Sequence, residues 1–200
     1  MAGLALPGLV RRAQTLTWIG NAWHVAEFAI ALAAGLAAGS IALIGFGADS
    51  LVEGVAGFVL AWRLARGERA ERRAQQLIGG SFFVLAAYIA VESVRTLAGG
   101  RHPEVSRVGI ALAAVTAITM PLLARAKRRV GNDIASSATV NEAAQTQLCA
   151  YMSVALLAGL GANALAGWWW ADPVAALAIA AIAVQEGVRG WRGDACCDVC

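Results

Sequence analysis

Charged residues are scarce in this sequence. They make up 14% of its 200 residues, while 59% of the residues are hydrophobic. A soluble domain carries about 25% charged residues, so the composition argues against a fold that is stable in water. It predicts instead a polytopic membrane protein that has little of its chain outside the bilayer.

Lysine is also nearly missing from the sequence, which contains neither a disulfide framework nor a catalytic motif. Lys127 is the only lysine, and no long basic run suited to nucleic acid occurs. We find no nucleophile, phosphate-binding loop or cofactor motif, so we expect neither an enzyme nor a permanently bound cofactor. The four cysteines do not form a disulfide framework, because Cys149 lies in an apolar segment and the others end the chain. The tail cysteines, which are either a soft-metal site or free thiols, are Cys196, Cys197 and Cys200.

What the sequence does contain is a series of long apolar runs. A helix needs about 20 apolar residues to cross a hydrocarbon core of about 30 Å. The runs are continuous rather than alternating, which favours helices over barrel strands. The predicted fold is an all-α, six-transmembrane-helix bundle with spans at 16–38, 41–62, 77–97, 108–123, 141–165 and 171–188. We divide the chain into a cytoplasmic N-terminal segment (1–15), a six-helix transmembrane domain (16–190) and a short Cys-containing cytoplasmic tail (191–200).

Basic residues are distributed unevenly between the two ends of these spans. With the N-terminus inside, thirteen Lys and Arg residues fall on the inner side and three on the outer side. Positive residues are enriched in cytoplasmic loops, so both termini are expected in the cytoplasm. We expect the protein in the inner (plasma) membrane of the cell.

Two acidic residues interrupt the second span. Asp49 and Glu53 are four residues apart, so they share one helix face about one turn apart. Each charge at bilayer depth costs roughly 2.5–3.5 kcal/mol on insertion scales, and the two also repel. A bound cation would compensate for both. The alternatives are that both are protonated, or that they bind Arg or backbone groups inside the bundle.

The first span carries a further polar face. His24 and Glu27 follow Asn21 at steps of three residues, which keeps them roughly on one side of the helix. They could belong to an access route or a proton-linked pair beside a cation site. They could equally satisfy each other by hydrogen bonding or ion pairing.

The fifth span offers Gln145 and Cys149, four residues apart. A cysteine thiolate is a soft metal ligand, although a cysteine in an apolar helix also serves as a small packed hydrophobe. At about 1.5 Å per residue, Cys149 and Glu53 can share a level near the bilayer midplane. Asp172, followed by Pro173, is expected simply to open the sixth helix.

Two segments resemble the cation diffusion facilitator (cation efflux) family, transmembrane domain only. The stretch GSIALIGFGADSLVE (39–53) is similar to that family's first-to-second-helix signature, and WADPVAAL (170–177) to the start of its sixth helix. The resemblance covers roughly residues 15–192. It implies export of divalent cations, typically zinc, from the cytoplasm against protons, usually by a homodimer. It also implies a metal site that joins Asp49 and Glu53 to a pair on the fifth helix, where Gln145-x-x-x-Cys149 is the best match.

The function predicted from these features is the export of divalent metal cations, zinc-like, by proton antiport. Asp49, Glu53 and Cys149 would supply anionic ligands, and Gln145, water or His24 would complete the shell, with Glu27 nearby. Thiolate favours Zn²⁺ or Cd²⁺ over Mg²⁺ or Ca²⁺. The alternatives are a non-transporting membrane protein of the same fold that senses metal or binds a partner, and a transporter of another solute.

Overall fold

Helices account for nearly all of the described chain. The computed structural model describes residues 6–63, 71–100 and 102–192, and within these ranges there is no strand. The all-α prediction is confirmed. The helices are α1 (Leu6–Ala38), α2 (Ile41–Arg63), α3 (Glu71–Gly99), α4 (Arg107–Asp133), α5 (Ser137–Ala166) and α6 (Ala171–Arg192). The three tail cysteines and part of the basic segment between α2 and α3 lie outside the described residues.

Five of these helices are long and apolar enough to cross a membrane, judged over the described part of the chain. They are α1, α3, α4, α5 and α6. Such helices identify an integral membrane protein. The crossing by α2, and with it the count of six spans and the cytoplasmic position of the termini, stays a prediction.

Two helices extend well past the predicted spans. Helix α1 begins at Leu6 rather than at 16, and α4 continues to Asp133 rather than stopping near 123. The extensions contain arginine and, in α4, lysine, which favour helix but lower the local hydropathy. Hydropathy marks the part of a helix that suits lipid, and the helix itself continues beyond it.

Helix α2 lies at the centre of the arrangement. The most extensive contacts join α4 with α5, α3 with α6, and α1 with α2. Helix α2 also contacts α3, α5 and α6, and α1 contacts α4. Residues on α1, α2, α4 and α5 can therefore meet at one place. The largest fully buried apolar side chains include Leu43, Phe46, Ile89, Met152, Leu156 and Ile179.

Two glycines shape the close crossing of α1 and α2. A Cβ built on Gly35 would lie 2.9 Å from the backbone nitrogen of Ile44, so only glycine permits this approach. Gly39 has a φ of +64° and no neighbour within 4 Å of a built Cβ, so it serves the turn rather than the packing. Gly35 therefore serves the packing of the two helices, and Gly39 serves the turn between them.

Asp172 fixes the start of α2. Its carboxylate is buried and accepts hydrogen bonds from the Ser40 hydroxyl and from the backbone N–H groups of Ile41 (3.0 Å) and Ala42 (3.4 Å). The first N–H groups of a helix have no partner within it, and a negative charge there is favourable. Asp172 does lie in the first turn of α6, as predicted. It also ties α6 to the beginning of the helix that carries the acidic pair.

Candidate metal site

Helix α1 contributes the first two side chains of the site. His24 is 5% exposed and Glu27 is fully buried. Their spacing of three residues places them on one face, one turn apart. The His24 Nδ1 atom lies 3.6 Å from Glu27 Oε2 and 3.5 Å from Glu53 Oε2. The imidazole therefore bridges a carboxylate of α1 and a carboxylate of α2.

The carboxylate of Glu27 is a meeting point for four helices. It accepts hydrogen bonds from Ser50 Oγ on α2 (2.8 Å), from Thr116 Oγ1 on α4 and from Trp23 Nε1 on α1 (3.3 Å). The Cys149 thiol on α5 is 3.7 Å from Glu27 Oε2. These contacts hold the carboxylate in one position, which is the role of outer partners around a metal ligand.

Three buried atoms of the same group have no hydrogen-bond partner among the residues that the structure describes. They are His24 Nδ1, Asp49 Oδ2 and Glu53 Oε2. A buried polar atom without a partner is costly, and native proteins seldom leave one. An imidazole nitrogen and two carboxylate oxygens are all cation ligands, so the unpartnered set has the chemistry of a metal site.

The spacing of the ligand atoms suits one small cation. One atom each from His24, Glu27 and Cys149 lies within 4.8 Å of the others. In a tetrahedral zinc shell with ligands at about 2.0–2.3 Å, neighbouring ligand atoms are about 3.3–3.8 Å apart. A contraction of about 1 Å would therefore bring these three side chains to bonding distance.

Several acidic side chains lie near one another at this place, and burial disfavours their charged forms. Asp49 is repelled by Glu27 and by Glu186 of α6, and Glu53 is repelled by Asp49 and Glu27. Lys127 acts on Glu53 in the attractive sense. Carboxylates that repel one another in a low-dielectric interior are stabilised by a cation that they share.

The comparison with known families agrees with this chemistry. Residues 22–192 match the family described as the cation efflux transmembrane domain. The chain belongs to the cation efflux family. This is a family of cation transporters, and the protein is thus an integral membrane protein of that class. No curated protein sequence is significantly similar to the chain.

In this cation efflux protein, the structure brings together most of the side chains singled out from the sequence. His24, Glu27, Asp49 and Cys149 are buried, and the half-buried Glu53 lies beside His24. Their roles as ligands stay predictions.

Gln145 does not join that group, because its side chain is exposed. The buried face of α5 runs through Thr146, Cys149 and Ser153 instead. Gln145 directly precedes Thr146, so the two side chains point about 100° apart around the helix, and Gln145 lies to one side of the buried face. The geometry does not support the predicted ligand role of Gln145.

Sequence reasoning missed the partners that orient Glu27. Ser50 directly follows Asp49, and Thr116 is a polar residue within the apolar part of α4. Hydroxyl groups are common in membrane helices, where they also bond to their own backbone, so neither stood out. Their approach to Glu27 depends on how α2 and α4 are rotated, which no local pattern gives.

Proposed function

We propose that this protein exports divalent metal cations, foremost Zn²⁺, from the cytoplasm. The cation would bind among His24, Glu27, Glu53 and Cys149, with Asp49 adding charge beside them. The single observation that supports this most is that His24 Nδ1 and Glu53 Oε2, which are 3.5 Å apart and buried, have no hydrogen-bond partner among the described residues. Membership of the cation efflux family supports the transport of a cation.

The choice of Zn²⁺ rests on the mixture of donors. Zn²⁺ accepts nitrogen, oxygen and sulfur in a four-coordinate shell, whereas Mg²⁺ and Ca²⁺ prefer oxygen alone. The group offers an imidazole, carboxylates and the Cys149 thiol. Cd²⁺ would be a second substrate, because sulfur favours soft ions.

Proton antiport follows from the same donors. Carboxylates, imidazole and thiol all bind a metal in their deprotonated forms, so metal binding expels protons. Protons that return on the opposite side would displace the metal, which couples the two flows. We propose that this happens by alternating exposure of the buried group, without covalent chemistry, so the protein is not an enzyme and holds no resident cofactor.

The setting of the transporter is part of the proposal. The excess of basic residues on one side supports cytoplasmic termini in the inner (plasma) membrane and hence export. The family resemblance supports a homodimer. No nucleic acid partner is proposed.

A second candidate is a metal sensor that keeps the fold without transporting. One observation favours it: α5 contributes a thiol to the group, while its carboxylate Glu142 is paired with Lys127. Such a protein would bind metal but would not move it across the membrane.

Uptake into sealed vesicles that contain the purified protein tests the proposal. We expect Zn²⁺ accumulation driven by an opposing proton gradient, and at least about tenfold slower accumulation in Glu53→Gln, because this swap removes a ligand charge but keeps the shape. The matched control is Glu104→Gln, since Glu104 is exposed. Binding of Zn²⁺ without uptake would support the sensor, and absence of both binding and uptake would overturn both readings.

A further inference from the structure

A buried ion pair lies next to the candidate metal site, and neither of its residues is a proposed ligand. Lys127 is 2% exposed and lies in α4, one of the membrane-spanning helices. Its Nζ atom is 2.8 Å from Glu142 Oε1 and 3.2 Å from Thr146 Oγ1, both on α5. The buried ammonium group is therefore paired with one carboxylate and one hydroxyl group.

The pair also holds α1. The Thr17 hydroxyl donates to the second carboxylate oxygen of Glu142 at 2.8 Å. A Cβ built on Gly20 would lie 2.8 Å from Lys127 Nζ, so the ammonium group rests directly against the backbone of α1. The Lys127 ammonium group, which α4 carries, therefore contacts both α1 and α5.

These contacts lie about one helical turn from the metal site. Thr146 is three residues before Cys149 on α5, and Gly20 is four residues before His24 on α1, which correspond to about 4.5 Å and 6 Å along the two helices. Both offsets point toward the ends where α1 and α5 begin. The ammonium group thus lies between the site and that end of the bundle.

We propose that the Lys127–Glu142 pair is a gate that closes the metal site toward the end of the bundle where α1 and α5 begin. A fixed ammonium repels a divalent cation, and its four-carbon stem can swing away. Glu142 would then offer its carboxylate to the cation entering from that end, the cytoplasmic end in the orientation proposed above. The role in cation entry rests on the proposed function, whereas the closure itself does not.

The presence of charge at this place supports a gate rather than a simple packing contact. Apolar side chains of similar size often fill such a space with equal or greater stability, because desolvation of two charges offsets their attraction. A charged pair can be opened by a competing cation, and an apolar contact cannot. The attraction between Lys127 and Glu53 helps to hold the ammonium in the closed position.

The rate at which a thiol reagent reaches Cys149 tests the closure without any metal. Cys196→Ser, Cys197→Ser and Cys200→Ser leave Cys149 as the only cysteine of the chain. In this background, Lys127→Met combined with Glu142→Gln removes both charges, so no unpaired charge is left buried. We expect labelling of Cys149 to become about tenfold faster, because the closed state loses its ion pair.

A neutral and a cationic reagent of similar size separate opening from charge. Faster labelling by both supports a gate, whereas acceleration of the cationic reagent alone means only lost repulsion and overturns it. The control is Arg95→Met with Glu92→Gln, which removes an exposed ion pair of 2.7 Å on α3 and should leave the rate unchanged. Equal acceleration by the control variant would also overturn the gate.

Thr17→Val keeps the proposal testable if the double variant does not fold. It preserves the Lys127–Glu142 pair and the shape of residue 17, but removes the hydrogen bond that ties Glu142 to α1. We expect a smaller acceleration of about threefold with both reagents. An unchanged rate would overturn the gate. Failure of wild-type Zn²⁺ binding would defeat the proposed function and leave these labelling results valid.

Discussion

Two buried aspartates of this bundle have opposite surroundings. Every contact of Asp172 satisfies it: a hydroxyl and two backbone N–H groups donate to its carboxylate at the start of α2. Asp49, which follows the first residue of α2 by eight positions, is 2% exposed and has an oxygen atom without a hydrogen-bond partner in the described part of the chain. It is also repelled by Glu27 and Glu186.

The difference separates a carboxylate that stabilises the fold from one that we propose lies at a cation site. Asp172 completes the hydrogen bonds of a helix terminus and joins two helices, which stabilises the bundle. Asp49 and Glu53 differ from it, because they lie close to other acids and each has a buried carboxylate oxygen without a hydrogen-bond partner among the described residues. Proteins tolerate such buried acids at sites where a bound ligand, such as a cation, compensates for the missing partners.

The largest effect on metal binding is expected from substitution of Asp49 or Glu53. Asp49→Asn or Glu53→Gln should weaken Zn²⁺ binding by about a hundredfold or more, because each removes a ligand charge. Neither should destabilise the metal-free protein, since repulsion within the group falls. Calorimetric titration measures the first effect and thermal unfolding the second. A variant with wild-type affinity would exclude its residue from the site.

Substitution of Asp172 is expected to have the reverse outcome, a loss of stability with little change in metal affinity. Asp172→Asn should lower the free energy of unfolding by about 1–3 kcal/mol, because an amide cannot accept all three hydrogen bonds. Zn²⁺ affinity should change little. Ser40→Ala is the milder companion and should cost about 1 kcal/mol. If Asp172→Asn lost metal binding while its stability was unchanged, the division between the two aspartates would be wrong.

A selective effect is expected at Cys149. Cys149→Ala should lower Cd²⁺ affinity about tenfold more than Zn²⁺ affinity, because the thiolate is the soft donor of the group. Titration with both ions gives the ratio. Equal affinities in wild type and variant would mean that Cys149 is only a packed side chain, and the sensor or another ligand on α5 would then have to be considered.

The smallest effects separate an orienting residue from an exposed one. Thr116→Val removes the α4 hydroxyl that donates to Glu27, and we expect roughly tenfold weaker Zn²⁺ binding. Gln145→Ala should leave binding unchanged, since its side chain is exposed. A loss in the Gln145 variant comparable with the Thr116 variant would show that α5 is rotated from the position described here.

The sequence was a good guide to features that the bilayer imposes. Lipid requires long apolar helices, so the positions of the helices followed from hydropathy, and acids such as Asp49 and Glu53 stood out against the apolar background. The extension of α4 to Asp133 did not follow from hydropathy, because charged residues continue a helix outside the apolar core.

Contacts between helices could not be predicted in the same way. The bond from Thr116 to Glu27 spans 89 positions, and the bond from Thr17 to Glu142 spans 125. Such pairs depend on the rotation and height of each helix, which follow from the packing of the whole bundle. Gln145 was expected to face the site, but its side chain is exposed, because a small rotation of α5 decides which residues face inward. Lys127 is buried although its neighbouring arginines are exposed, which the sequence alone does not show.

X-ray absorption at the zinc edge tests the central claim most directly, because it reports the ligands of the bound ion. In protein with the three tail cysteines replaced by serine, we predict one sulfur at about 2.3 Å together with nitrogen and oxygen ligands at about 2.0–2.2 Å. The sulfur should disappear in Cys149→Ser, and the nitrogen contribution should fall in His24→Gln. A spectrum with oxygen ligands alone, or one that neither variant changes, would contradict a metal site built from His24, Cys149 and the buried acids.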